Sequence, residues 1–359
     1  MSRNMSASNS SIFSALDLYC ANRGDPVRNA GTKRWISGPT GAEKSFLADA
    51  KVVFALNFTL TRRVGLFEHE GKSFFCLVGF DGAASFADLV EVPVTGGIFT
   101  AVIAELVPKP IAPTSSIRNV VEAQDYSSAG AAYKGHQLAL METLFPRVKV
   151  FSFSKIAENE AYRAFFRFCA MECDNGDFWI ENRLAAALIE LCDLDSISVP
   201  FQTLCRSIFD ADPAGLFLGL YRCLEALYAL NSARKVAKDF NLSTDWTVIS
   251  IALESTLGWR APEAASLNQL LGHCEEETFK AVFSALHLET TAVMPGLIDA
   301  AGRQIYKLRN SLVHYRPIHH RTEYKNVDWN ELCIVMTVIV KSVYGKIFVT
   351  EEEVEEATS

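Results

Sequence analysis

The segment YKLRNSLVHYRPIHH, residues 306–320, gathers three of the chain's seven histidines and two arginines into fifteen positions. Within it, RNSLVH runs from Arg309 to His314. Arginine presents a planar, permanently charged fork of donors that suits phosphate oxygens. Histidine titrates near neutrality and can take or give a proton. Asn310 could hold the imidazole or a phosphate oxygen by hydrogen bonds. Together these types suit RNA cleavage without a metal, in which the ribose 2′-hydroxyl attacks the adjacent phosphorus. That reaction needs a base for the hydroxyl proton, an acid for the leaving 5′-oxygen and a cation at the phosphorane. One histidine covers one proton role, which suggests two such motifs facing each other across a dimer.

An arginine and a histidine four to six residues apart are not informative alone, since Arg63 and His69 in RVGLFEH share the loose spacing. The setting of Arg309 differs. A helix expected over 297–315, stopped by Pro317, places Asn310 and His314 on one face as an i,i+4 pair, and Tyr306 extends the row. Ile305, Leu308, Leu312 and Val313 supply an inward apolar stripe, so the polar row is expected at an exposed helix end. Lys307, Arg316 and Arg321 are the cations nearest this row. From Arg303 to Lys325 there are six basic residues and one acid, Glu323, a local charge of +5 in a chain of net charge −8. A polyanion would meet the protein there. The histidines do not suggest a metal: His314, His319 and His320 lack the paired short spacings of zinc ligands, and the nearest other ligands are Asp328 and Cys333. The bland alternatives are that Arg309 pairs with an acid inside a bundle, that His314 caps a helix, and that Asn310 is merely a surface residue.

The elements that must position these residues change in kind along the chain. KVVFALNFTLT, residues 51–61, alternates with period two and predicts a half-buried strand; HEGK then turns the chain and SFFCLVGF reads as the hairpin partner. IFTAVIA at 98–104 is a further candidate strand. VPKPIAPTSS at 107–116, with three prolines, reads as a linker. Beyond about 150 the spacing is helical: ENEAYRAFFRFCAMEC, WIENRLAAALIELC, the long 213–240 segment, then 247–257 behind the capping residues Ser243, Thr244 and Asp245, 276–287, 297–315 and 328–345. The expected architecture is α+β. A strand-containing domain spans 1–110, a linker with connecting helices 111–199, an all-α bundle 200–350 and an acidic tail 351–359.

Nearly half of the 359 residues are hydrophobic, as in a globular protein, and the acidic balance excludes a broadly basic nucleic-acid coat. The longest apolar run, LCIVMTVIV at 332–340, is far short of the ~20 residues that span a bilayer. The polar MSRNMSASNSS has no apolar signal core and reads as a short disordered lead. Nine cysteines without a CxxC pair fit a reduced, cytoplasmic chain; Cys169 and Cys173 share a helix face without partner ligands. GPTGAEKS at 38–45 approximates a phosphate loop. Glu43 stands where the second glycine belongs, and NAGTKRWIS upstream is not the buried strand such a loop follows, so a surface turn is expected.

IYKLRNSLVHYR resembles the R-N-x-x-x-H signature of the HEPN superfamily, helical bundles found in RNA-cleaving toxins and anti-phage effectors. LYRCLEALY at 220–228 resembles the long early helix of these domains, which often carries an acid facing the motif; Glu225 would be that acid. The resemblance covers roughly 200–350. It implies a homodimer with a composite cleft and no metal or other cofactor. Arg309, Asn310 and His314 would be catalytic, Glu225 and Tyr306 supporting, and Lys307, Arg316 and Arg321 in contact with RNA. It further implies an abortive-infection role, with the N-terminal domain receiving a trigger or partner protein. The rival reading is a non-catalytic bundle for dimerisation or partner binding.

Overall fold

The computed structural model describes residues 4–38, 41–81, 89–123, 133–154, 157–173, 179–194, 199–314 and 326–349. The chain divides into two compact units, Met1–Ala157 and Glu158–Ser359. The boundary falls at 157 rather than near 110 or 199. The proline-rich stretch 107–116 belongs to the first unit, where Ala112 and Ile117 are buried in its core.

In chain order the first unit contains α1 (Met5–Ala21), α2 (Gly41–Asp49), β1 (Lys51–Asn57), β2 (Arg63–His69), β3 (Lys72–Val78), β4 (Val90–Val92), α3 (Gly96–Leu106), α4 (Thr114–Glu122), α5 (Leu138–Glu142) and β5 (Val148–Ser154). The strands form one antiparallel sheet ordered β1-β2-β3-β5-β4. The predicted strand at 51–61 stops at Asn57, and its alternation holds over that length, with Val52, Phe54 and Leu56 turned inward. The hairpin closed by Glu70 and Gly71 joins β2 to β3, so SFFCLVGF pairs first with RVGLFEH. Both turn residues have positive φ, 49° and 75°, the twist that a two-residue hairpin loop requires.

Three further expectations fail in this unit. The surface turn expected at 38–45 is helical from Gly41, where α2 begins. The polar lead is helical from Met5. Asn4 caps Ala7, and Ile12, Phe13, Leu16 and Cys20 form a buried stripe that outweighs the serines between them. IFTAVIA is not a strand but the middle of α3. One side of that helix, through Phe99 and Ile103, packs in a core with α1. The other, through Ala101, Val102 and Leu106, packs on sheet residues Phe67, Cys76 and Val150. A helix buried all round has no polar face, so its sequence loses the 3.6-residue signature. Gly65 of β2 makes the approach possible, because a Cβ there would sit 2.8 Å from Leu106 Cδ2.

Every described element of the second unit is helical: α6 (Glu158–Cys173), α7 (Asn182–Leu191), α8 (Phe201–Ser207), α9 (Pro213–Glu225), α10 (Leu230–Asp239), α11 (Trp246–Leu257), α12 (Glu263–Leu271), α13 (Glu276–Ala285), α14 (Gly296–Val313), α15 (Trp329–Tyr344) and a π turn, Gly345–Val349. Asp212 and Asp245 cap α9 and α11 through their side chains. The apolar run at 332–340 is the centre of α15, which packs against α7, α9 and α13. Among the described residues no helix is long and apolar enough to cross a membrane. None of the nine cysteines forms a disulfide, and all are buried. The 213–240 segment is two helices, not one, because the chain turns at 226–229.

Candidate functional site

The site forms where α9, α12 and α14 meet. Gly302, on the buried face of α14, lets α12 come close: a Cβ there would collide with Asn268 Oδ1. Asn268 is held in place by donating to Asp299 at 2.6 Å. One and two turns further along α14 lie Tyr306 and Arg309.

The Arg309 guanidinium donates from Nη2 to Glu225 Oε1 at 2.6 Å and from Nη1 to Asn310 Oδ1 at 2.9 Å. A second carboxylate, Glu263 Oε2 in the first turn of α12, lies 3.7 Å from Nη1. The Arg309 side chain is only 16% exposed, against 28% for Glu225 and 44% for Glu263. Burial pulls the Arg309 pKa down, but the charge and hydrogen bond of Glu225, together with Glu263, more than offset this and leave it raised. The guanidinium also lies 5.6 Å from the centre of the Tyr221 ring. Behind that ring the Tyr228 hydroxyl donates to the Tyr221 hydroxyl at 2.7 Å. Burial pushes Tyr221 up to about 12 and raises Tyr228 further, so this phenol pair stays protonated.

His314 stands differently from the expectation. The helix ends at Val313, and His314 is its C-cap with extended backbone, its N–H donating to Asn310 O. Its side chain is exposed. It therefore leaves the helical face on which an i,i+4 pairing with Asn310 would have placed it. The polar row is not uniformly exposed either: Arg309 is largely buried, Tyr306 and Asn310 are half-buried, and Lys307 is exposed. Of the inward stripe, Ile305 and Leu308 are fully buried, whereas Val313 is 49% exposed. Arg316, Arg321, Pro317, His319 and His320 lie outside the described residues.

Thus Arg309, Asn310 and Glu225 are brought into direct contact and His314 is left at the adjacent helix end. Tyr221, Glu225 and Tyr228 recur at i, i+4 and i+7, and that spacing was the available signal for the phenols. Glu263 gave no such signal, because an acid after Pro262 at a helix start reads as dipole compensation. Arg63 and His69 stand at opposite ends of β2, roughly 20 Å apart at the rise of a strand, and cannot act together. Among the described residues no group of three His, Cys, Asp or Glu could hold a metal ion. Chemically, two carboxylates around one guanidinium leave that locus without net positive charge. For Arg309 to hold a phosphate, one of them must yield its place. Comparison with protein-family models, curated proteins and solved structures finds no match to this chain.

Proposed function

We propose that this chain is a metal-independent endoribonuclease of the HEPN type, acting as a homodimer. The observation that carries the reading is the array of Glu225, Arg309 and Asn310 joining α9 to α14, with the exposed His314 at the end of the same helix. An acid on the early helix facing the arginine is what the family resemblance calls for. His314 moves the proton, as base toward the 2′-hydroxyl or as acid toward the leaving 5′-oxygen. Arg309 stabilises the phosphorane charge once RNA phosphate displaces a carboxylate. Asn310 orients a phosphate oxygen, since His314 has left its helical face. Glu225 and Tyr306 support the array, and Lys307, Arg316 and Arg321 meet the RNA backbone. The second copy of the chain supplies the histidine for the other proton role. Bond making from the 2′-oxygen and bond breaking to the 5′-oxygen leave a 2′,3′-cyclic phosphate and a 5′-hydroxyl. By analogy of fold alone, the activity belongs to abortive infection in the cytoplasm, with the first unit answering a trigger.

The second reading, a non-catalytic module for dimerisation or partner binding, is favoured by one observation: Arg309 spends its donors on internal acceptors. Incubation of purified protein with labelled RNA in EDTA separates the two. The ribonuclease reading expects cleavage by wild type, none by His314→Ala, and none of RNA with deoxyribose at the scissile position. A requirement for added Mg²⁺, or inactivity of wild type toward every RNA offered, rejects it in favour of the binding module.

A further inference from the structure

The first unit holds a cavity of about 680 Å³ lined by α1, by residues 31–36 and by Gly38 and Lys44. Among the described residues every charged side chain in its lining is a cation: Lys33, Arg34 and Lys44. Arg34 is buried, and its Nε has no hydrogen-bond partner among the described residues. Its Nη2 meets Asp17, and its Nη1 reaches Asn29 Oδ1 only at 3.5 Å. Asp17 thus balances one of the three charges. Lys33 and Lys44 are exposed and make no ion pair among the described residues. A buried guanidinium N–H without an acceptor is rare in folded proteins and marks a place for one.

The wall is built rather than incidental. Asn9 spends its amide on structure, accepting from Ile36 N at 2.9 Å and donating to Met5 O at 2.8 Å, which pins 34–36 against α1. Ser6, Ser10 and Ser14 then line the cavity from successive turns of that helix. Trp35 also lines it, held edge-on by Tyr133 at 4.3 Å. Gly135, at φ +92°, gives the indole its place: a Cβ there would lie 2.6 Å from the Trp35 ring. A lone inorganic anion would leave most of this volume empty, which instead falls in the range of roughly 300–1,000 Å³ typical of small organic ligands.

We propose that this cavity binds a nucleoside phosphate, with the phosphate meeting Arg34 Nε, Lys33 and Lys44, and the planar base against Trp35. The site is not a phosphate loop. GPTGAEKS contributes Gly38 and Lys44 to the wall, but it opens α2 with no strand before it. The inference goes beyond the ribonuclease reading and does not depend on it.

Titration calorimetry of the full chain at low salt tests it, with nucleoside mono- and diphosphates, adenosine, orthophosphate and a short single-stranded RNA as probes. At least one nucleoside phosphate should bind saturably, with adenosine and orthophosphate at least tenfold weaker. Lys33→Ala and Lys44→Ala, both at exposed positions, should each weaken binding by about tenfold with an unchanged circular dichroism spectrum. His314→Ala should bind as wild type, which separates this site from the candidate RNA site. Arg34→Met should abolish binding, but the lysine variants decide the matter if it does not fold. The proposal is overturned if no nucleoside phosphate binds, if both lysine variants bind undiminished, or if adenosine or orthophosphate alone matches the nucleotide. Binding of the RNA alone would overturn it too.

Discussion

Arg309 is shared among Glu225, Asn310 and Glu263, whereas the exposed His314 beside it has no side-chain tie among the described residues. The two residues should therefore fail differently. His314→Ala removes an exposed side chain and should lower cleavage by roughly 10²–10⁴-fold while shifting stability by no more than about 0.5 kcal/mol. Arg309→Ala should also abolish cleavage, but it strands Glu225 in a half-buried place and should cost about 1–3 kcal/mol. Urea unfolding alongside cleavage assays reads both; equal stability losses would show that Arg309 is not structurally engaged. At the other end of the chain, His136 is buried against Phe13 and Tyr133. Burial, with a smaller effect from Arg34, pulls its pKa down to about 4. The unfolded imidazole takes a proton near 6.5 and the folded one only near 4. Stability is thus fully present above pH 6.5 and falls as the pH drops from there toward 4, by up to about 3 kcal/mol. In His136→Gln the slope over that window should flatten; an unchanged slope would assign the acid sensitivity to other groups.

At the scale of elements, contacts between helices place Glu225 and Glu263 around Arg309, and Gly302 is a point where α12 and α14 come close. Gly302→Ala should destabilise the second unit by about 1–3 kcal/mol, since the new methyl displaces Asn268 from Asp299. Adding Asn268→Ala should recover part of the loss by removing the obstacle. Additive losses in the double variant, measured by denaturant unfolding, would refute the steric account. The helix α11 shows another side of element packing: Val248, Ile251 and Leu257 are exposed, and Ile249 is its one fully buried residue. Nearby, Phe240 is 73% exposed. An apolar helix left this bare is suited to cover by another chain.

For the whole molecule, the ribonuclease reading needs two copies. Ile251→Glu with Leu257→Glu should convert a dimer to monomers in sedimentation velocity and remove cleavage with it, while the helical content persists. A dimer that survives both substitutions would place the contact on another surface. On the ribonuclease reading, the acidic net charge of −8 confines RNA contact to the few cations near α14, so cleavage should weaken with salt with a slope set by those few contacts.

The sequence alone determined the features whose information is local. The helices at 158–173, 247–257 and 328–345 follow from amphipathic spacing and capping residues, β1 from its alternation, and the helix that carries Arg309 and Asn310 from its own apolar stripe. Apart from the helix at 247–257, which buries only Ile249 and is marked by its capping residue, each of these buries one face, and one-sided burial writes a period into the residues. Tertiary structure decided what no period records. The helix α3 lies between two cores and is apolar all round, so IFTAVIA carried no helical signature. The break at 226–229 interrupts residues of good helical propensity. Glu225 and Glu263 reach Arg309 across 84 and 46 positions of sequence, and Arg34, whose buried Nε has no partner among the described residues, lines a cavity together with α1 and Lys44. An ion pair or a cavity depends on which faces come together in space, and folding makes that choice through packing among distant segments.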